Sequence, residues 1–200
     1  MPRLIFITLL VFSLCNCKEK DKKRPSFKAE NFTEHYIEYA KGTLLLPLNY
    51  DRITHENLPY IVAKKDSMSL LNGLLKFLEA DRKDYALFSN QENSNDVILI
   101  LKSEYINFSK SDANQYLGLL EQNMSATYGK GSYERLEKKL TQTERSKYVK
   151  IKYRIRGQQG YFHQTHYVVT SAATTFGLIE LRTEATDYED LIKRINYLVN

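Results

Sequence analysis

Tyr148-Val149-Lys150-Ile151-Lys152-Tyr153-Arg154-Ile155-Arg156 alternates strictly along nine residues. A period of two is the signature of a β-strand with unlike faces. It predicts Val149, Ile151, Tyr153 and Ile155 on a core face, and Lys150, Lys152, Arg154 and Arg156 on a solvated one. Gly157-Gln158-Gln159-Gly160 reads as a turn, Tyr161–Thr170 as the returning strand and Thr175–Thr183 as a third. Ahead of this meander, Ala113, Leu117, Leu120, Met124 and Tyr128 recur at helical spacing, so 111–128 is expected to be a helix, with Gly129 at its C-terminal stop. Behind it, Leu191, Ile192, Ile195, Leu198 and Val199 predict a closing helix over 187–199, with Thr186 and Glu189 as a capping box and the Glu189–Asp190 pair serving the helix dipole.

Further upstream, Tyr36–Tyr50 reads as two extended segments around Ala40-Lys41-Gly42, with Pro47 at a strand end. Residues 67–83 carry Met68, Leu71, Leu74, Leu75 and Leu78 at helical spacing, interrupted by Gly73. Tyr85–Ser89 and Val97–Leu101 are expected as strands joined by a polar loop. The run VILIL has the look of a strand buried on both faces. No repeat or internal linker breaks the chain after Pro25, so residues 31–200 read as one α+β domain.

The amino terminus carries a different message. Met1-Pro2-Arg3 is a positive head, Leu4–Leu14 is an apolar run of eleven residues, and Cys17 follows Leu14 by three places. A run of that length spans roughly 16 Å as a helix, about half of a ~30 Å hydrocarbon core, which argues against a transmembrane helix. Residues 1–16 therefore read as a secretory signal, and the Leu14–Cys17 segment resembles a bacterial lipobox. Cys17 is the expected lipidation site, a tri-acylated membrane hook. Cys15 fits less well, because Leu14 would stand directly before the cut. Once residues 1–16 are removed, Cys17 is the one remaining cysteine, so no intramolecular disulfide is available. Lys18 after the cysteine points to the outer membrane, by analogy with enteric sorting.

Residues 17–30 are read as a charged tether. The chain has 29 Lys+Arg against 24 Asp+Glu. Five cations and two anions fall within 18–24, and Arg3 leaves with the signal, so the body from residue 25 keeps a net charge of only +1. The basic character belongs to the tether, which excludes a nucleic-acid reading based on it.

No glycine-rich phosphate loop, Gly-x-Ser-x-Gly elbow or His-Glu-x-x-His is present. His163 and His166 lie three apart on an expected strand and so point to opposite faces, with His163 half-buried and His166 solvated. No catalytic residue, metal site or cofactor is expected. The row Lys150, Lys152, Arg154 and Arg156 reads as a solvated face that discourages aggregation or as a docking patch for an acidic partner or anionic headgroup. Fifteen tyrosines and no tryptophan suit strand packing, with recognition as the second use.

The order of a long helix, a basic-apolar strand ending in Arg156-Gly157-Gln158-Gln159-Gly160, a strand rich in Tyr and His, the strand Phe176–Leu181 and a final amphipathic helix resembles the PsbP-like family. Gly42–Tyr50 is similar to its early strand. The resemblance implies an antiparallel meander covered by amphipathic helices, an α/β/α sandwich, whose members mostly bind other proteins and share no catalytic residue. Two features depart from it: the missing tryptophan and the additional helix at 67–83. The expectation is an envelope-anchored lipoprotein serving as a non-enzymatic, protein-binding accessory. The alternatives are a periplasmic hydrolase or small-molecule binder, and an immunity lipoprotein that neutralises a toxin.

Overall fold

The computed structural model describes residues 31–54, 56, 85–93, 95–157, 160–171 and 174–197. The signal, Cys17, the tether and the helix expected at 67–83 lie outside them. The described elements are β1 (Phe32–Ile37), a 3-10 turn (Glu38–Ala40), β2 (Gly42–Pro47), β3 (Tyr50–Ile53), β4 (Tyr85–Asn90), β5 (Val97–Ser103), α1 (Lys110–Tyr128), β6 (Tyr133–Gln142), β7 (Ser146–Gly157), β8 (Gly160–Ser171), β9 (Thr175–Arg182), α2 (Glu189–Ile192) and β10 (Asn196–Tyr197). The fold is α+β, as expected, and mostly antiparallel sheet.

Seven strands pair in the order β3-β4-β5-β9-β8-β7-β6. β6 to β9 form the meander read from the sequence, and β7 and β8 stay in register from Ser146↔Ser171 to Gly157↔Gly160. The connection after β5 does not pair β5 with β6. It crosses one face of the sheet as α1 and delivers the chain to the far edge. α1 begins on a reciprocal cap: Ser109 accepts from the Asp112 N–H and the Asp112 carboxylate accepts from the Ser109 N–H. It ends at Gly129, whose φ of 82° is open to glycine but costly for an L side chain.

The sheet is buried on both sides. On the face beneath α1, Val149, Ile151, Tyr153 and Ile155 pack against Phe108, Ala113, Leu120 and Met124. This confirms the core face read from the alternation. On the opposite face, Ile98, Ile100, Phe176, Leu178, Tyr148 and Tyr167 pack against Leu44, Leu46 and the Leu191, Ile192 and Ile195 side chains. β5 therefore serves two cores: Ile98 and Ile100 belong to this one, Val97 and Leu99 to a cluster with Leu87 and Leu181.

The closing helix expected at 187–199 is corrected. Among its described residues only Glu189–Ile192 is helical, its N-cap is Tyr188 without a side-chain cap, and the chain then continues as β10. β2 captures it, pairing Thr43 with Asn196 and Gly42 with Tyr197. Gly42 permits the approach, since a Cβ there would stand 3.2 Å from Ile195 and 3.3 Å from the Asn196 carbonyl. A three-stranded sheet, β1-β2-β10, thus contributes to the second cover where a helix was expected. β6 was not read in the sequence at all. Leu136 and Leu140 sit four apart among charges, and a bulge between Arg135 and Glu137 breaks any alternation.

Candidate functional site

The cation row of β7 is the natural starting point, and the structure divides it. Lys150 and Lys152 are 3% and 7% exposed, whereas Arg154 and Arg156 are exposed. The expectation of four solvated cations is thus corrected for the first two. The cause is the chain after β9. Residues 183–188 form a strap that folds back across this face and brings carboxylates over the lysines.

Lys150 Nζ lies 2.7 Å from Glu137, 2.9 Å from Asp187 and 3.0 Å from Glu189. Lys152 Nζ lies 2.8 Å from Asp187 and also donates to the Ala185 carbonyl. Glu189 accepts from the Tyr148 hydroxyl at 2.6 Å and pairs with Lys139 at 2.9 Å. Glu189 also stands, with Asp190, in the first turn of α2 as expected, and its ion pairs come in addition to that placement. Burial works against the charge of Lys150, but its bonds to Glu137, Asp187 and Glu189 outweigh this and hold its pKa above the usual range. Burial likewise opposes ionisation of Asp187 and Glu189. Lys152 and Lys150 at the first, and Tyr148, Lys139 and Lys150 at the second, reverse that and hold both carboxyls low.

Beside this cluster sits a carboxyl of opposite character. Glu180 is 1% exposed and takes no ion pair among the described residues; its oxygens accept the Tyr188 N–H at 3.2 and 3.4 Å. Burial, and then the nearby Asp187 charge, push its pKa up to about 8. Arg182 completes the clamp. Its guanidinium covers the Tyr188 ring at 4.4 Å, meets Asp96 at 3.4 Å and donates to the Thr186 carbonyl at 3.1 Å. Every group here holds the strap down. The arrangement is a charge-balanced clamp, with partners already within bonding distance of one another.

The histidines do not converge. His163 pairs across from Arg154 and is half-buried, as expected. His166 pairs across from Ile151 beneath α1 and is 5% exposed, which corrects the solvated placement. Its Nε2 is 2.7 Å from Gln164, and burial lowers its pKa to about 4. Among the described residues no three His, Cys, Asp or Glu side chains come together as a metal site. An open groove lies between α1 and the start of β6, lined by Gly118, Gln122, Ser125, Lys130 and Tyr133, and its carboxylate, Glu121, is paired with Arg135.

What remains outside the clamp is the far end of β7. Arg154 pairs with Glu134 at 2.5 Å and stacks over the exposed Tyr161 ring at 5.1 Å. Arg156 makes no ion pair among the described residues; its N–H donates to the Ser132 carbonyl. The sequence missed the clamp because its carboxylates, Asp187 and Glu189, stood in a segment read as a self-contained helix.

No family model matches the chain, and no curated protein matches it in sequence. Solved structures do. The solution structure of cyanobacterial PsbP (CyanoP) from Synechocystis sp. PCC 6803 superposes with a TM-score of 0.50 at 13% identity, covering 86% of this chain and 89% of that one. The crystal structure of the Saccharomyces cerevisiae Ran-binding protein Mog1p gives 0.43 at 13% identity, covering 80% of each chain. The chain has a PsbP-like fold.

Proposed function

We propose that the protein is an exported lipoprotein, cut before Cys17, fixed through that residue to the outer membrane, and acting there as a protein-binding accessory without catalysis. One observation carries the accessory reading. The ionisable groups of the second sheet face, buried Lys150, Lys152, Glu180 and Arg182 with half-buried Asp187 and Glu189, are spent on fastening the strap. None is left aimed into an open cleft, where a general acid or base has to stand. Aromatic and aliphatic side chains such as Tyr105, Ile106, Leu136, Leu140 and Tyr161 remain 40–56% exposed, the residue types that interfaces use. The PsbP-like fold agrees with a body built to display surfaces.

Metabolic labelling with a clickable fatty acid tests the anchor. The wild-type chain is expected to take label and fractionate with outer membranes, and Cys17→Ser to lose the label and accumulate unprocessed. Equal labelling of the two ends the anchoring reading. Crosslinking in intact cells, followed by capture of the lipidated protein, tests the binding role. The expected outcome is one envelope protein recovered in stoichiometric amount, and lost when Leu136 and Leu140 are replaced by Ser.

A further inference from the structure

The corner formed by Arg154, Arg156 and Tyr161 has a position that the sequence could not show. Following the sheet register from β7 leads across one end of the molecule. Arg154 stands opposite His163, and His163 opposite Arg182 at the end of β9. Thr183, next in the chain, is tied by its N–H to Asp96 and by its hydroxyl to Asn93, in the loop between β4 and β5. The neighbouring Gln91 N–H donates to the Asn49 carbonyl, and the Leu48 N–H to the carbonyl of Asn31, the first of the described residues. The exposed arginines therefore lie at the same end of the sheet as the residue that receives the tether. Five strand spacings separate β3 from β7, roughly 24 Å.

We propose that Arg154, Arg156 and Tyr161, joined by Lys130 on the adjoining turn, form a corner that rests on anionic phospholipid headgroups once the chain is anchored. The inference rests on the anchored reading above. A chain of 14 residues, 17–30, reaches no more than about 50 Å, so a body held through Cys17 never leaves the neighbourhood of the leaflet. Linkage of that kind converts a weak second contact into an intramolecular one at millimolar effective concentration, so a modest site suffices. The chemistry fits. Arg156 is exposed and makes no ion pair among the described residues, and the turn that carries the exposed Lys130 is held to it by the Arg156–Ser132 backbone bond. Two guanidinium forks suit phosphate oxygens. Tyr161, 55% exposed and stacked on Arg154, is a ring of the kind found at membrane interfaces. Two carboxylates border the corner. Glu134 holds Arg154 in an exposed pair that a phosphate can displace, and Glu184 turns toward Arg182. The tether's own cations, Lys18 to Arg24, supply a second attraction to the same surface.

Co-sedimentation of the unlipidated chain 17–200 (Cys17→Ser) with vesicles of phosphatidylglycerol and phosphatidylcholine in equal parts reads the corner without the anchor. Saturable binding is expected, absent with pure phosphatidylcholine. It should be about 25-fold weaker in Arg154→Ser/Arg156→Ser, roughly fivefold per cation, and within about threefold of the parent in the paired Arg→Lys variant. Amide exchange on the vesicles should slow at 154–157 and 160–163. Binding of the Ser variant equal to the parent overturns the proposal, since the tether alone then accounts for it. So does protection of this corner by a glutamate-rich peptide but not by the vesicles, which identifies an acidic protein as the ligand. Because Cys17 is absent throughout, a negative vesicle result is distinct from a failure of lipid labelling.

Discussion

The two faces of the seven-stranded sheet are built from the same strands on opposite principles. Beneath α1, Val149, Ile151, Tyr153 and Ile155 close a core beside the buried His166, whose ring meets the half-buried Gln164. Under the strap, one residue away along β7, Lys150 and Lys152 are also buried, but inside a set of ion pairs. The first face is stabilised by removing apolar area from water. The second is fastened by charges whose desolvation is repaid only while every partner is present. The difference should show in how each face fails.

Neighbouring residues make the sharpest contrast. Ile151→Ala removes apolar volume at a site of 0% exposure, a loss of about 2–5 kcal/mol set by how far α1 can settle. Lys150→Met keeps most of the volume, yet leaves Glu137, Asp187 and Glu189 facing one another without their common cation. Asp187 keeps Lys152 and Glu189 keeps Lys139 and Lys193, so the set is only partly uncompensated and about 1–3 kcal/mol is expected. Urea unfolding measures both. The distinguishing result is a partner change: Lys150→Met combined with Glu137→Gln, the one of the three carboxylates paired with Lys150 alone among the described residues, should recover part of the loss. No second substitution on the strap should relieve Ile151→Ala.

The next effect is a pH response in which the faces oppose each other. Glu180 has a folded pKa near 8, above its ordinary 4.5, so the folded state holds a proton that the unfolded chain releases. Its contribution is complete below about 4.5 and declines as pH rises toward 8. His166 has a folded pKa near 4, below its ordinary 6.5, so the unfolded chain holds the proton. Its contribution is complete above about 6.5 and declines as pH falls toward 4. Between roughly 4.5 and 6.5 the two slopes cancel, and from 6.5 to 8 only that of Glu180 remains. Glu180→Gln should therefore raise stability at pH 9 by roughly 2–5 kcal/mol relative to wild type. His166→Gln should expose a downward slope from pH 4.5. Identical pH profiles for wild type and Glu180→Gln would mean that the strap does not seal that carboxyl from water.

The contrast also explains what could be read in advance. Alternation in β7 assigned each side chain to a face, and the faces are as assigned. Alternation carries no information on what will cover a face, so lysines destined for burial looked like lysines facing solvent. The cover came from Asp187 and Glu189, some 35 residues downstream. A stripe at 191, 192 and 195 suits a helix, and Leu191, Ile192 and Ile195 are indeed buried. Their burial needs only one helical turn, and the open edge of β2 then competes for the backbone. β6 was illegible for a related reason: Glu134, Arg135, Glu137, Lys138 and Lys139 look like a solvated run, but each reaches across to Arg154, Glu121, Lys150, Asn114 or Glu189.

The smallest expected effects separate surface pairing from local helix chemistry at the margins of the two faces. Ser109→Ala removes one half of the reciprocal cap that starts α1, leaving the Asp112 N–H without its side-chain acceptor. About 1 kcal/mol should be lost, read as a lower unfolding midpoint with an unchanged slope. Glu134→Gln at the other margin breaks the exposed pair with Arg154, whose side chains are 58% and 45% exposed. The loss should stay below about 0.5 kcal/mol and vanish in molar salt, because both groups are already hydrated. An Arg154 pair worth as much as the cap would place that arginine with the clamp, as a third fastened cation of β7. A negligible value places it, with Arg156, among the charges the fold leaves free.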